Sequence, residues 1–181
     1  VPFKLVTGNT YTVLFWADND DAPYTVNFAD KTMSIDYTGV ACNNEKLDAF
    51  YAKHEFTVKG AQTEIIELRR PFAQLNIGTT LESLDMDYHV DVLESSVTVA
   101  NPAYIFDVNA GLGKTATDEA VVFNQATKPD EALLVNDVRY EYVAMNYILV
   151  DGARSTVNVD FSIVTDKGTV TKTVADVPVA Q

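Results

Sequence analysis

Gly111-Leu112-Gly113-Lys114-Thr115 is the stretch of this chain nearest in type to a phosphate-binding loop. Such a loop places a glycine five residues before its Gly-Lys-Thr and a helix after it, whose first amides face the phosphate. Val108 stands where that glycine belongs, and Thr117-Asp118-Glu119 leads into a strand pattern, so a flexible loop is expected. Cys42 with His54 offers a thiol and a base, but no nucleophile signature or oxyanion-hole motif accompanies them. His89 lies between Tyr88 and Val90 in an alternating stretch and reads as solvent-facing. Two distant histidines without a third ligand at close spacing make a poor metal site. Asp18-Asn19-Asp20-Asp21 concentrates the oxygen ligands that Ca²⁺ favours, yet lacks the glycine and glutamate positions of an EF-hand loop. A solvated turn is expected there. Trp16 and the nine tyrosines could stack on sugar rings, but most fall at alternating strand positions and read as core. No catalytic, cofactor-binding or metal-binding residue is assigned, and no enzymatic activity is expected.

The elements that would position such residues are set by a chain of 181 residues, 47% hydrophobic, long enough to bury roughly 70% of its unfolded surface. Thirteen basic against 26 acidic residues give a net charge of −13, and Arg69-Arg70 is the only adjacent basic pair. That surface repels nucleic acid and anionic membranes, so neither is an expected partner. No apolar run approaches the length of a membrane helix, and no secretory h-region is visible. The single Cys42 excludes an internal disulfide and a thiolate zinc cluster.

Strand patterns dominate. Thr10 to Ala17 carries large apolar groups on both faces and reads as a central strand covered on both sides. Tyr24–Phe28, Ser34–Tyr37, His54–Lys59, Tyr104–Val108 and Ala120–Phe123 read as strands. Thr63–Leu68 and Ala73–Thr79 read as one strand broken at Pro71, where a bulge, an edge or a sheet crossing is expected. One of Arg69 and Arg70 should point inward and need a partner. Tyr88–Ala100 and Arg139–Val150 follow, then a hairpin of Thr156–Val164 and Thr169–Ala175 turning at Asp166-Lys167-Gly168, with Val157, Val159, Phe161 and Ile163 inward. Asn43 to Ala52 is the best helical segment, capped by Asn and apolar at Leu47, Phe50 and Tyr51. Thr80–Asp87 suggests one helical turn, while Asn109–Asp118 and Thr127–Glu131 read as loops. About nine strands with one short helix and no βαβ unit predict an all-β, antiparallel sandwich. A single domain over residues 1–181 is expected. The strand pattern already running at Val1-Pro2-Phe3 and still present at Val177-Pro178-Val179 suggests a piece of a longer protein.

Phe15-Trp16-Ala17, Asp48-Ala49-Phe50-Tyr51, Leu68-Arg69-Arg70-Pro71-Phe72-Ala73-Gln74-Leu75-Asn76 and the closing Val174-Ala175-Asp176-Val177-Pro178-Val179 resemble the fimbrillin-like surface proteins of Gram-negative anaerobes. That resemblance implies a transthyretin-like, Greek-key β-sandwich, exported as a lipoprotein to the outer face of the outer membrane. It implies a structural or adhesive role without catalysis, in some members by donor-strand polymerisation into type V pili. Expected partners are therefore copies of the chain or other pilus subunits, joined by strand addition, with a host or glycan ligand in addition. The membrane is met only through a lipid anchor outside this chain, since Cys42 lies in no lipidation context. The alternative is a glycan-binding accessory protein on the same scaffold. For pilins the resemblance also implies a cut by a trypsin-like protease after an arginine near the N-terminus; Arg69-Arg70 is not expected to be that site, since a cut there would split the core.

Overall fold

The computed structural model describes residues 4–80, 91–116, 119–130, 132–153 and 155–179. Among these residues the regular structure is thirteen strands and one 3-10 turn, and every strand pair is antiparallel. Tyr24–Asn27 (β2), Thr32–Ile35 (β3), Ala103–Asp107 (β7) and Leu112–Ala116 (β8) form one sheet in the order β2-β3-β7-β8. Gly168–Pro178 (β13), Thr156–Thr165 (β12), Val92–Val99 (β6) and Val121–Ala126 (β9) form a second, ordered β13-β12-β6-β9. Ala132–Val135 (β10), Val138–Leu149 (β11) and Phe72–Thr80 (β5) make a three-stranded sheet, β10-β11-β5. Thr10–Ala17 (β1) and Phe50–Thr57 (β4) make a two-stranded ribbon.

The strand covered on both faces is β11, not β1. Every residue from Val143 to Val150 is buried, so the near-continuous apolar run is satisfied from both sides. β11 lies against β6 of one four-stranded sheet and β7 of the other. Met33, Phe106, Val97, Val99, Phe123, Ile148 and Leu149 form the fully enclosed centre. The architecture is the expected antiparallel β-sandwich. β1 pairs only with β4 among the described residues; Leu14 and Trp16 on one face pack on the core, while Tyr11, Val13 and Phe15 on the other are half-buried.

Other expectations are corrected. The helix over Asn43–Ala52 shrinks to a 3-10 turn at Glu45–Leu47, with Asn44 accepting from the Lys46 N–H. Phe50, Tyr51 and Ala52 are drawn into β4 opposite Ala17, Trp16 and Phe15, and the pairing of a whole ribbon outweighs the helical preference of two turns. Thr63–Leu68 is not a strand. Gln62 takes the Lys59 N–H and donates to the Thr57 carbonyl, which peels the chain away from the end of β4. Contact resumes in one bridge, Tyr51 to Arg69. The loop expected over Asn109–Asp118 contains β8. β10, unforeseen in the sequence, is held in a hairpin by Asn136-Asp137, both at positive φ (50° and 65°), the geometry of a tight two-residue turn. Thr80 ends β5; the helical turn expected after it and the start of the Tyr88–Ala100 strand lie outside the described residues.

Candidate functional site

Among the described residues, those with reactive side chains are not brought together. Cys42 is buried and its thiol faces the Phe123 carbonyl at 3.7 Å. Burial pushes that thiol up to about 11, so it is protonated at neutral pH and a poor nucleophile. His54 sits on the β1–β4 ribbon, paired with Glu64 at 3.2 Å and stacked on Phe56. His89 lies outside the described residues. Three of the four side chains of Asp18–Asp21 are already engaged: Asp18 accepts from the Trp16 indole at 2.8 Å, Asn19 from the Asp21 N–H, and Asp21 pairs with Lys46 at 2.9 Å. Among the described residues no group of three His, Cys, Asp or Glu side chains is arranged to hold a metal.

Gly111–Thr115 makes a turn and the strand β8, not a loop open to phosphate. Gly111 closes the turn at φ +73° by donating to Asp107 O. Gly113 donates to Val150 O, and a Cβ there would stand 2.3 Å from that oxygen. The glycines serve close packing against the end of β11. Trp16 is core, edge-on to Tyr24 at 5.6 Å and tilted on Phe106 at 5.9 Å. No tyrosine among the described residues is fully exposed.

Neither arginine points inward. Arg69 pairs through its backbone with Tyr51, at 2.8 and 2.9 Å. Arg70 grips Asp48 with two hydrogen bonds, 2.8 Å from Nε and 2.7 Å from Nη2, and lies 5.3 Å over the Phe50 ring. The Asp48 carboxylate raises the guanidinium above its ordinary value. Fully buried Pro71 and then Phe72, stacked on Tyr24, continue inward. Thus the Asp48–Tyr51 and Leu68–Phe72 segments form one clasp that ties the start of β4 to the start of β5.

The surface with an unmet requirement is β13. Ten of its eleven residues are exposed, and among the described residues it pairs only with β12. Val170 and Val174 stand opposite Ile163 and Val159 and so share their inward face. Val159 is 2% exposed, but Val170 is 46% and Val174 44% exposed, so the covering layer ends at β12. Toward the C-terminal end, two residues of β13 oppose Asn158 alone, and Asp176 at φ +54° donates its N–H to the Asn158 side chain. That bulge twists the edge away there and leaves Gly168–Val174 regular and open. How far the opposite layer reaches over Val170 and Val174 is invisible in the sequence.

This fold and surface define a β-sandwich with an open edge strand. The chain belongs to DUF6562, a family of unknown function, whose pattern matches residues 1–181. No curated protein matches it. Among solved structures it is similar to a "putative adhesin" from Bacteroides ovatus ATCC 8483, at 9% identity and a TM-score of 0.46, covering 94% of this chain and 66% of that one. At that similarity neither fold nor function is inferred from it. No helix of the described residues is long and apolar enough to cross a membrane.

Proposed function

We propose that this chain is a fimbrillin-like, non-catalytic structural or adhesive protein of the cell surface, joined to copies of itself or to related subunits by strand addition at β13. The observation that carries the reading is the open edge of β13 with Val170 and Val174 uncovered on its inner side. A strand laid along that edge satisfies a row of free backbone groups, and its inward side chains cover the two valines. The four sequence segments that resemble fimbrillin-like proteins support the same reading and extend it to export and a lipid anchor outside this chain. The test is electron microscopy of the full-length gene product, before and after a trypsin-like protease, as wild type and as Val170→Asp with Val174→Asp. Fibres or chains of subunits in the wild type, lost in the variant, are expected. Persistent monomers in the wild type, or assembly equally strong in the variant, would overturn it.

A further inference from the structure

A strand laid on β13 must come from an edge that is itself unpaired, and most edges of this fold are sealed or polar. At β9, Asn124 donates its N–H to Val40 O at 2.8 Å and its carbonyl accepts from the Cys42 N–H at 3.1 Å, so the chain closes that edge itself. At β8, Gly113 donates to Val150 O and accepts from the Gly152 N–H, both at 2.9 Å. At β4, Tyr51 exchanges two backbone hydrogen bonds with Arg69. Among the described residues β1, β2 and β5 expose no large apolar side chain. β10 differs from all of these. It edges the sheet β10-β11-β5, and among the described residues no strand pairs with its outer side. Its sequence, Ala132-Leu133-Leu134-Val135, holds no charge, proline or bulge, the devices that keep an edge from pairing. Leu134 is 67% exposed, Val135 44%, and Val138 of the neighbouring strand 46%.

The hairpin carrying β10 is ordered before any partner arrives, which lowers the cost of docking. Leu133 reaches across β11 toward Gly78, where a Cβ would stand 3.5 Å from it, and Lys128 pairs with Glu141 at 2.5 Å. By register Leu133, Val135, Val138 and Tyr140 share one face, which is wholly apolar apart from the tyrosine hydroxyl. We infer that the strand added to β13 is β10 of a second copy, an assignment that rests on the reading of β13 as the joining edge. In the antiparallel register that sets Val135 opposite Val170, Leu133 lies opposite Lys172 and Leu134 opposite Thr171. The apolar face of the hairpin then continues the inner face of β13, and the lysine stem packs along Leu133. Lys172 is the only charge on Gly168–Ala175, β10 carries none, and the residues flanking β10 are the acids Asp130 and Asp137. Pairing of β13 with its own copy is worse on both counts. The antiparallel register that sets Val170 opposite Val174 sets Lys172 opposite Lys172, and such a two-fold pair closes on itself. β10 and β13 are different edges in different sheets, so their contact is head-to-tail and each copy keeps one edge open for the next.

Two variants of the full-length gene product each remove one edge: Val170→Asp with Val174→Asp on β13, and Leu134→Lys with Val135→Lys on β10. All four side chains are exposed, and melting curves report that the fold is kept. Electron microscopy and analytical ultracentrifugation follow assembly. Fibres are expected from the wild type and monomers from either variant alone. Mixed in equal amounts, the two variants should form one-to-one dimers and nothing longer, because each keeps the edge that the other lacks. A β10 variant that forms fibres or two-fold dimers by itself would overturn β10 as the added strand and leave assembly at β13 standing. The same holds for a mixture that stays monomeric while the wild type forms fibres. Wild-type monomers, or fibres of the β13 variant, would overturn the β13 reading and the β10 assignment together.

Discussion

Asn146 is the test of how the core is built. It lies within the fully buried run of β11, 2% exposed, opposite Leu75 of β5 and flanked on the same face by Ala144 and Ile148. Among the described residues neither its Oδ1 nor its Nδ2 has a hydrogen-bond partner. Each buried orphan group costs about 1–3 kcal/mol, so the two together carry a penalty of roughly 2–6 kcal/mol. Leucine is similar in size and apolar, and a misfit from its different branching costs at most about 1.5 kcal/mol. Asn146→Leu is therefore expected to stabilise the protein by about 0.5–4.5 kcal/mol. For a chain of this length that raises Tm by roughly 2–4 °C per kcal/mol. Urea unfolding followed by tryptophan fluorescence reads it directly, through the midpoint at constant slope. A loss of more than about 1 kcal/mol would refute the reasoning, because it would mean the amide bonds to enclosed water that leucine displaces.

Three further outcomes follow from the same contacts. Gly113→Ala should cost about 3 kcal/mol or more, since its Cβ would meet Val150 O at 2.3 Å and the Ala103 Cβ at 2.9 Å; an unchanged melting temperature would contradict the packing described. Arg70→Ala and Asp48→Ala should each cost about 1 kcal/mol, discounted because the guanidinium is half exposed, and a double-mutant cycle should show coupling of about 0.5–1 kcal/mol; strict additivity would dissolve the clasp. The folded state holds the Cys42 proton up to a pH of about 11 against an ordinary value of 9.0, and burial also lifts the Tyr37 phenol. Stability is therefore complete below pH 9 and falls by about 2–3 kcal/mol as the pH rises through 11; melting curves that stay flat over that window would refute it.

Alternation along the chain was enough to read the class of fold and its clearest hairpin, because Val157 and Val159 sit on the buried face that period-2 patterning assigns them. What it misread has physical causes. Asn43–Ala52 carries helical spacing, but eight consecutive pairs with β1 hold Phe50–Thr57 extended. β1 and β11 both look doubly apolar, and only the placement of sheets distinguishes a ribbon flanking the core from a strand through it. β8 was hidden by glycines that are present for close approach, as Gly113 shows. β10 had a legible signal in Asn136-Asp137, a pair suited to positive φ. Cys42 is buried in the core and His54 lies on the β1–β4 ribbon beside Glu64, surroundings that their positions in the chain do not disclose. The clasp of Arg70 on Asp48 could not be read, because nothing local links positions 22 apart in the chain. The exposure of Val170 and Val174 likewise depends on where one sheet ends relative to another.

Hydrogen exchange of β13 during assembly tests the central claim most directly. In the monomer, the amides of Gly168–Val174 that point away from β12 should exchange quickly, since among the described residues no strand pairs with that edge. Strand addition predicts that these amides, and not those of the outer polar faces, become protected when subunits associate. Assemblies that form while β13 keeps its monomer exchange rates would contradict the account.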